Sequence, residues 1–243
     1  MENSTLYTYE MVEQESVQMP HSSYEQFNAC CEALIDDFQV NNPILDLIAN
    51  NALKLEHYHS LLNVIFHQVY IAGSTTLALA GSMLEPKRFA MREFLFHHAE
   101  EEQNHWKWII QDLRNTGYTG SDPRSVHPPF VTEAYRSFAM HFAMKHPLES
   151  VAICYMLESL SSKLGVKYGM QAAIQLGLQR EQMSFFLLHG ELDQGHETEI
   201  LDALLAANLT AEQWAVAEHA AKCTAHFYKE MYVYAAGVVE RVK

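Results

Sequence analysis

Apolar positions recur three and four residues apart through most of the chain, and no run keeps a polar–apolar alternation. That spacing predicts amphipathic helices; strands would repeat every two residues. Residues 24–39 place Phe27, Cys30, Cys31, Leu34, Ile35 and Phe38 on one helical face, and Asn41-Asn42-Pro43 ends the run, because a residue before proline disfavours helical geometry. A short helix over 44–50 and a long one over 52–84 follow, stopped by Pro86. The next is expected over 87–116, with Gly117 as its C-terminal cap. Residues 118–130 hold Gly120, Pro123, Pro128 and Pro129 and read as a loop inside one domain. Helices near 130–145, 147–177, 180–207 and 210–240 complete the pattern; Pro147 suits a first turn, and Thr210 with Gln213 spells a capping box. Residues 1–22 are polar and aperiodic, an extended N-terminal arm, which leaves 23–243 as one helical domain.

Composition narrows this to an all-α protein. Of 243 residues only 10 are Gly and 7 Pro, too few for the turns of a sandwich or barrel. Hydrophobic residues make up 49 % and charged residues 19 %, an ordinary globular balance. Sixteen Lys and Arg against 30 Asp and Glu give a net charge of -14, which repels phosphate backbones and anionic bilayers, so neither nucleic acid nor membrane is expected as a partner. The apolar stretch over 69–84 is interrupted by Gly73, Ser74, Thr75, Thr76, Gly81 and Ser82 and does not run unbroken for the roughly 20 residues a bilayer needs. The N-terminal segment has no basic region followed by an apolar run, so no signal peptide is read there. Cys30, Cys31, Cys154 and Cys223 form no Cys-x-x-Cys pair, as expected of reduced thiols in a cytoplasmic protein.

The 14 histidines carry the chemistry where they share a helical face with carboxylates. In LLHGELDQGHETEIL, Asp193 lies about 40° from His189 around the helix and His196 about 20° the other way. That stripe continues the apolar face of Phe185, Phe186 and Ile200, so a carboxylate and two imidazoles are expected to point inward. Buried charges need partners, and a metal ion takes His and Asp together. In HHAEEEQNHW, Glu102 and His105 are three apart and meet on one face, the spacing found in carboxylate-bridged iron sites of helical bundles. Glu101 and His98 also fall on that face, and the spacing leaves open which of Glu101, Glu102 and His98 turns inward. Glu158 stands alone in the apolar run VAICYMLESL, where a role between two metals would relieve the cost of burying it. Another Glu-x-x-His, Glu56 and His59, sits among polar neighbours near a helix start, where an acid suits the helix dipole.

Three carboxylates and three imidazoles on three helices, Glu102, His105, Glu158, His189, Asp193 and His196, are therefore the candidate catalytic and metal-binding residues. Mixed nitrogen and oxygen donors favour iron or manganese in redox work, with zinc or another divalent ion as the alternative.

These motifs resemble the haem-oxygenase-like di-iron oxidases and oxygenases of the TENA/THI-4/PqqC superfamily. The likeness covers residues 25–236 and rests on NPILDLIANNALKLEHYHSLLNVIFHQVY, EEQNHWKWIIQDLRNTG, YMLESLSSKLG and HGELDQGHETEILDAL. The resemblance implies a haem-oxygenase-like bundle of seven to eight helices with the site at its centre. Its second metal helix would be His189, Asp193 and His196, its lone middle carboxylate Glu158, and its first metal helix Glu102 and His105. One branch places the first acid seven residues before the His, where this chain has His98. The implied activity is a non-haem iron-dependent oxidoreductase: two labile iron ions activating dioxygen on a small organic substrate such as an amine, amino acid or fatty-acid-like molecule. A homodimer fits the same resemblance.

Two rival readings stay open. A metal-free thiaminase-II-like hydrolase would use Cys154, four residues before Glu158 on the same face, but would leave His189, Asp193 and His196 without a task. A non-catalytic helical binding protein with a degenerate site is the other. Phe66, Tyr70, Tyr155, Met156 and Phe186 are the expected lining of an apolar substrate pocket.

Overall fold

The computed structural model describes residues 21–241, except the side chains of residues 21, 22, 193, 194, 240 and 241. The expected N-terminal arm lies outside the described residues up to residue 20; His21 and Ser22 already belong to the first helix. Among the described residues every regular element is helical. The helices are α1 (His21–Val40), α2 (Pro43–Ala49), α3 (Leu55–His67), α4 (Ser74–Met83), α5 (Phe89–Glu102), α6 (Trp106–Asn115), α7 (Phe130–Lys145), α8 (Val151–Leu160), α9 (Val166–Leu176), α10 (Ser184–Ala206) and α11 (Ala211–Arg241).

Local chemistry explains the breaks. Asn42 caps α2, its side-chain oxygen accepting the Ile44 and Leu45 amides at 3.0 and 3.2 Å, while Pro43 fills the first helical position, where a missing N–H costs nothing. Gly177 closes α9 in the left-handed region at φ +66°, which glycine adopts without a Cβ clash. Thr210 and Gln213 exchange the two hydrogen bonds of the expected capping box.

Two expected helices differ. The run over 87–116 is split: α5 ends at Glu102, and a turn over 103–105 precedes α6. The run over 147–177 begins with a turn at 147–150 and becomes helical at Val151.

α3 and α4 form one continuous rod, Leu55–Met83, joined by a π-helical turn at Gln68–Gly73. By length and composition that rod could cross a bilayer, but its apolar side is turned into the molecule, 61 % of the window being buried. A second π-helical turn, Ser161–Gly165, joins α8 to α9. Such turns re-aim side chains within a helix and recur near functional sites.

The long α11 packs along α1, α3, α7 and α8, with Trp214 tilted against Phe27 (5.1 Å between ring centres) and Tyr232 edge-on to Phe38 (5.1 Å). α10 lies on α8, on the second π turn and on α6. That contact is close because glycines allow it: Gly165 and Gly190 face each other, and a Cβ on Gly190 would come within 3.2 Å of the Ser161 carbonyl oxygen. The α5–α6 segment, α8 and α10 are thereby held side by side around one interior space.

Candidate metal centre

Five of the six candidate ligands converge. Glu102, His105 and Glu158 are buried, and the side chains of His189 and His196 are 14 % and 13 % exposed. The sixth, Asp193, has its side chain outside the described residues.

The donors fall into two groups. Glu102, His105 and His189 form one; His98, Glu102, Glu158 and His196 form the other; in each, the ligating atoms lie within 4.8 Å of one another. Glu102 belongs to both. Glu158 belongs to the second group. Of the three side chains that spacing left open on the first metal helix, both Glu102 and His98 turn inward, while Glu101 is 36 % exposed and lies 3.5 Å from His98 Nδ1. His98 is the donor that the six-residue set omitted. Its position, seven residues before His105 on the same helical face, was the signal available.

Helix geometry explains the pairing. His98 and His105 are seven residues apart, as are His189 and His196, and seven residues is close to two helical turns. α5–α6 and α10 bring His98 beside His196 and His105 beside His189, each pair with ring centres 4.9 Å apart and nearly perpendicular planes. The turn at 103–105 lets His105 point back to Glu102, 3.0 Å away.

The electrostatics are those of a donor set. Burial works to raise the Glu102 pKa, but the hydrogen bonds and charges of His105 and His189 outweigh it and hold the carboxyl well below the usual range. Glu102 Oε2 lies 3.0 Å from His105 Nδ1 and 3.7 Å from His189 Nε2, while its Oε1 is buried with no hydrogen-bond partner. A buried carboxylate oxygen without a donor is costly, and a cation placed between the two groups would satisfy it. At His98, burial opposes the charged ring, but its 2.7 Å hydrogen bond to Glu158 Oε1 and the nearby charges of Glu158, Glu102 and Glu101 prevail, and its pKa rises to about 8. The Cys154 thiol, one turn before Glu158, donates to Glu158 Oε1 at 3.2 Å and lies 3.3 Å from His98 Nε2.

A second layer holds the helices in register. α10 has no side-chain cap of its own at Met183. Asp112 on α6 supplies one: Oδ1 accepts the Ser184 amide at 2.9 Å and Oδ2 the Phe185 amide at 2.8 Å. The Tyr58 hydroxyl lies 3.1 Å from Asp112 Oδ2 and 2.9 Å from the Gln182 carbonyl oxygen.

An apolar cavity of about 120 Å³ opens from this centre. Glu102, Glu158 and His189 sit at its polar end; Ile44, Leu53 and Leu77 are among its walls, and both π-helical turns border it. No Lys or Arg lines it. Of the five aromatic and methionine residues expected in the lining, only Phe186 is there. Phe66, Tyr155 and Met156 are packed in the core, and Tyr70 stacks on Phe66 at 4.9 Å, because helical spacing alone does not separate a core face from a cavity face. The other Glu-x-x-His pair is elsewhere: His59 bonds Thr116 Oγ1 at 2.8 Å.

The sequence profile of a family described as iron-containing redox enzymes matches residues 67–228, which spans α4 through most of α11 and every donor named above. The chain belongs to that family. Its fold is haem-oxygenase-like. A domain of unknown function with a heme oxygenase-like fold from Shewanella denitrificans OS217 superposes with a TM-score of 0.78 at 18 % identity, covering 89 % of this chain and 93 % of that one. A TenA homolog from Pseudomonas syringae pv. tomato DC3000 gives 0.71 at 13 % identity over 95 % and 98 %. A TenA homologue from P. horikoshii OT3 gives 0.68 at 12 % over 88 % and 97 %. Among curated proteins none matches in sequence.

Proposed function

We propose that the protein is a cytoplasmic non-haem iron oxidoreductase that holds two iron ions and uses dioxygen on a small, largely apolar organic substrate. The observation that carries this reading is the buried pair of donor groups sharing Glu102, whose Oε1 has no hydrogen-bond partner, at the end of an apolar cavity. One group offers two imidazoles and a carboxylate and the other two of each, donors that suit iron and manganese alike. Bound iron would supply the one-electron chemistry toward dioxygen that side chains lack.

The residues of the chain do the rest. His105 and His189 would hold one ion with Glu102, and His98, Glu158 and His196 the other, with Glu102 between. In the metal-free chain the His98–Glu158 hydrogen bond retains a proton, and the second group must release it to accept an ion. Asp112 and Tyr58 fix the start of α10 and hence the aim of His189. The apolar walls exclude water, which strengthens every electrostatic interaction at the polar end. The substrate would be an amine, an amino acid or a fatty-acid-like molecule. The absence of Lys and Arg from the lining favours those with an apolar body. Four free cysteines fit a reducing compartment.

One observation favours a second reading. Cys154 Sγ lies 3.2 Å from Glu158 Oε1 at the cavity wall, the pairing a cysteine hydrolase needs. Anaerobic Fe(II) titration with iron analysis separates the two. The oxidoreductase takes up two equivalents in wild type and loses at least the one held by His189 in His189→Ala; iron uptake unchanged in that variant overturns it.

A further inference from the structure

We propose that Cys154 is a sulfur ligand of the ion held by His98 and Glu158. The inference rests on the metal-centre reading above and adds to it a donor of different chemistry. The Sγ atom lies 3.2 Å from Glu158 Oε1 and 3.3 Å from His98 Nε2. Neighbouring donors on one ion with bonds of roughly 2.0–2.3 Å sit about 2.9–3.7 Å apart, so both separations are those of adjacent ligands. His98 Nε2 and Glu158 Oε1 are 2.7 Å apart, a hydrogen bond that an ion would replace.

The placement follows from the helix. Cys154 and Glu158 are four apart on α8 and share a face, and both line the cavity. The thiol is half-buried and free of any disulfide. A second observation points to an ion here: Glu102, nine-tenths buried and grouped with His98, Glu158 and His196, has an oxygen without a hydrogen-bond partner. On binding, the S–H bond breaks, the sulfur–metal bond forms, and the proton leaves to solvent, with no change of oxidation state. Thiolate is a soft donor, whereas the Glu102–His105–His189 group offers only imidazole and carboxylate. The two positions thus differ in kind, and the sulfur-bearing one would hold softer divalent ions more firmly.

The test is anaerobic Co(II) titration of the full-length chain, wild type against Cys154→Ser and Cys154→Ala, under a non-thiol reductant. Wild type is expected to develop an intense near-ultraviolet thiolate-to-cobalt band. Both variants lose it while keeping cobalt uptake and ligand-field bands from the other group. A wild-type spectrum without that band, or variants that keep it, overturns the proposal and leaves the metal centre standing. No cobalt uptake by wild type removes the metal centre, and the proposal with it. Iodoacetamide labelling read by mass spectrometry gives a second measure: cobalt should slow alkylation of Cys154 at least tenfold and leave Cys30 and Cys223 unchanged. Equal Cys154 rates with and without cobalt overturn the assignment.

Discussion

Asp112 accepts the Phe185 amide at 2.8 Å and so ties the helix that follows His105 to the helix that carries His189. One carboxylate thereby couples two ligand-bearing segments. Asp112→Asn keeps the shape but turns an NH2 group toward one of the two capped amides. The expected loss is about 2 kcal/mol, from a buried donor left facing a donor. Urea denaturation should show a lower midpoint at unchanged slope. A midpoint equal to wild type would mean the cap is dispensable.

Glu102 and Glu101 are sequence neighbours with different expected fates. Glu102→Gln removes the anionic oxygens common to both donor groups and should cut iron content after anaerobic reconstitution from two equivalents to one or none. Glu101 is 36 % exposed and outside both groups. Glu101→Gln should retain both ions. Elemental analysis of the two variants side by side decides it.

The His98–Glu158 pair makes the metal-free protein sensitive to pH. The folded His98 pKa is raised from 6.5 to about 8. A raised pKa means that the folded state binds the proton more tightly than the unfolded chain, so the stabilisation is complete below pH 6.5 and fades as pH climbs through about 8. Thermal melts of chelator-treated protein should therefore show Tm falling between those values. In His98→Gln that slope should flatten; a slope identical to wild type would contradict the pairing.

Gly190 sits beside His189 where α10 meets the second π-helical turn. An added Cβ would come to 3.0 Å from Val166 Cγ2 and 3.2 Å from the Ser161 carbonyl oxygen, and that backbone has little room to retreat. Gly190→Ala should cost about 1–3 kcal/mol despite alanine's better helix propensity. Differential scanning calorimetry should record a Tm several degrees lower. Gly195→Ala, where nothing lies within 4 Å, should not fall and serves as the comparison.

Much of the bundle was legible because helical periodicity is a strong local signal. The inward stripe of His189 and His196 followed from angles around a single helix. What escaped detection depended on relations between segments. The break at 103–105, which aims His105 back at Glu102, has no proline or glycine to announce it. The inward turn of His98 is not legible from its own helix, because its partners, His196 and Glu158, come from helices distant in sequence. The cavity lining was misread for the same reason: Phe66 and Met156 keep helical spacing whether they meet a neighbour or an empty space, and only the packed arrangement distinguishes the two.

The matched seven-residue intervals on α5–α6 and α10 have a broader consequence. Each donor group draws one imidazole from α5–α6 and one from α10, two segments running opposite ways. Sliding or parting of the helices would open both positions together. If ions fill both groups, occupancy and helix docking become a single equilibrium, and loading would firm up the contact between α5–α6 and α10.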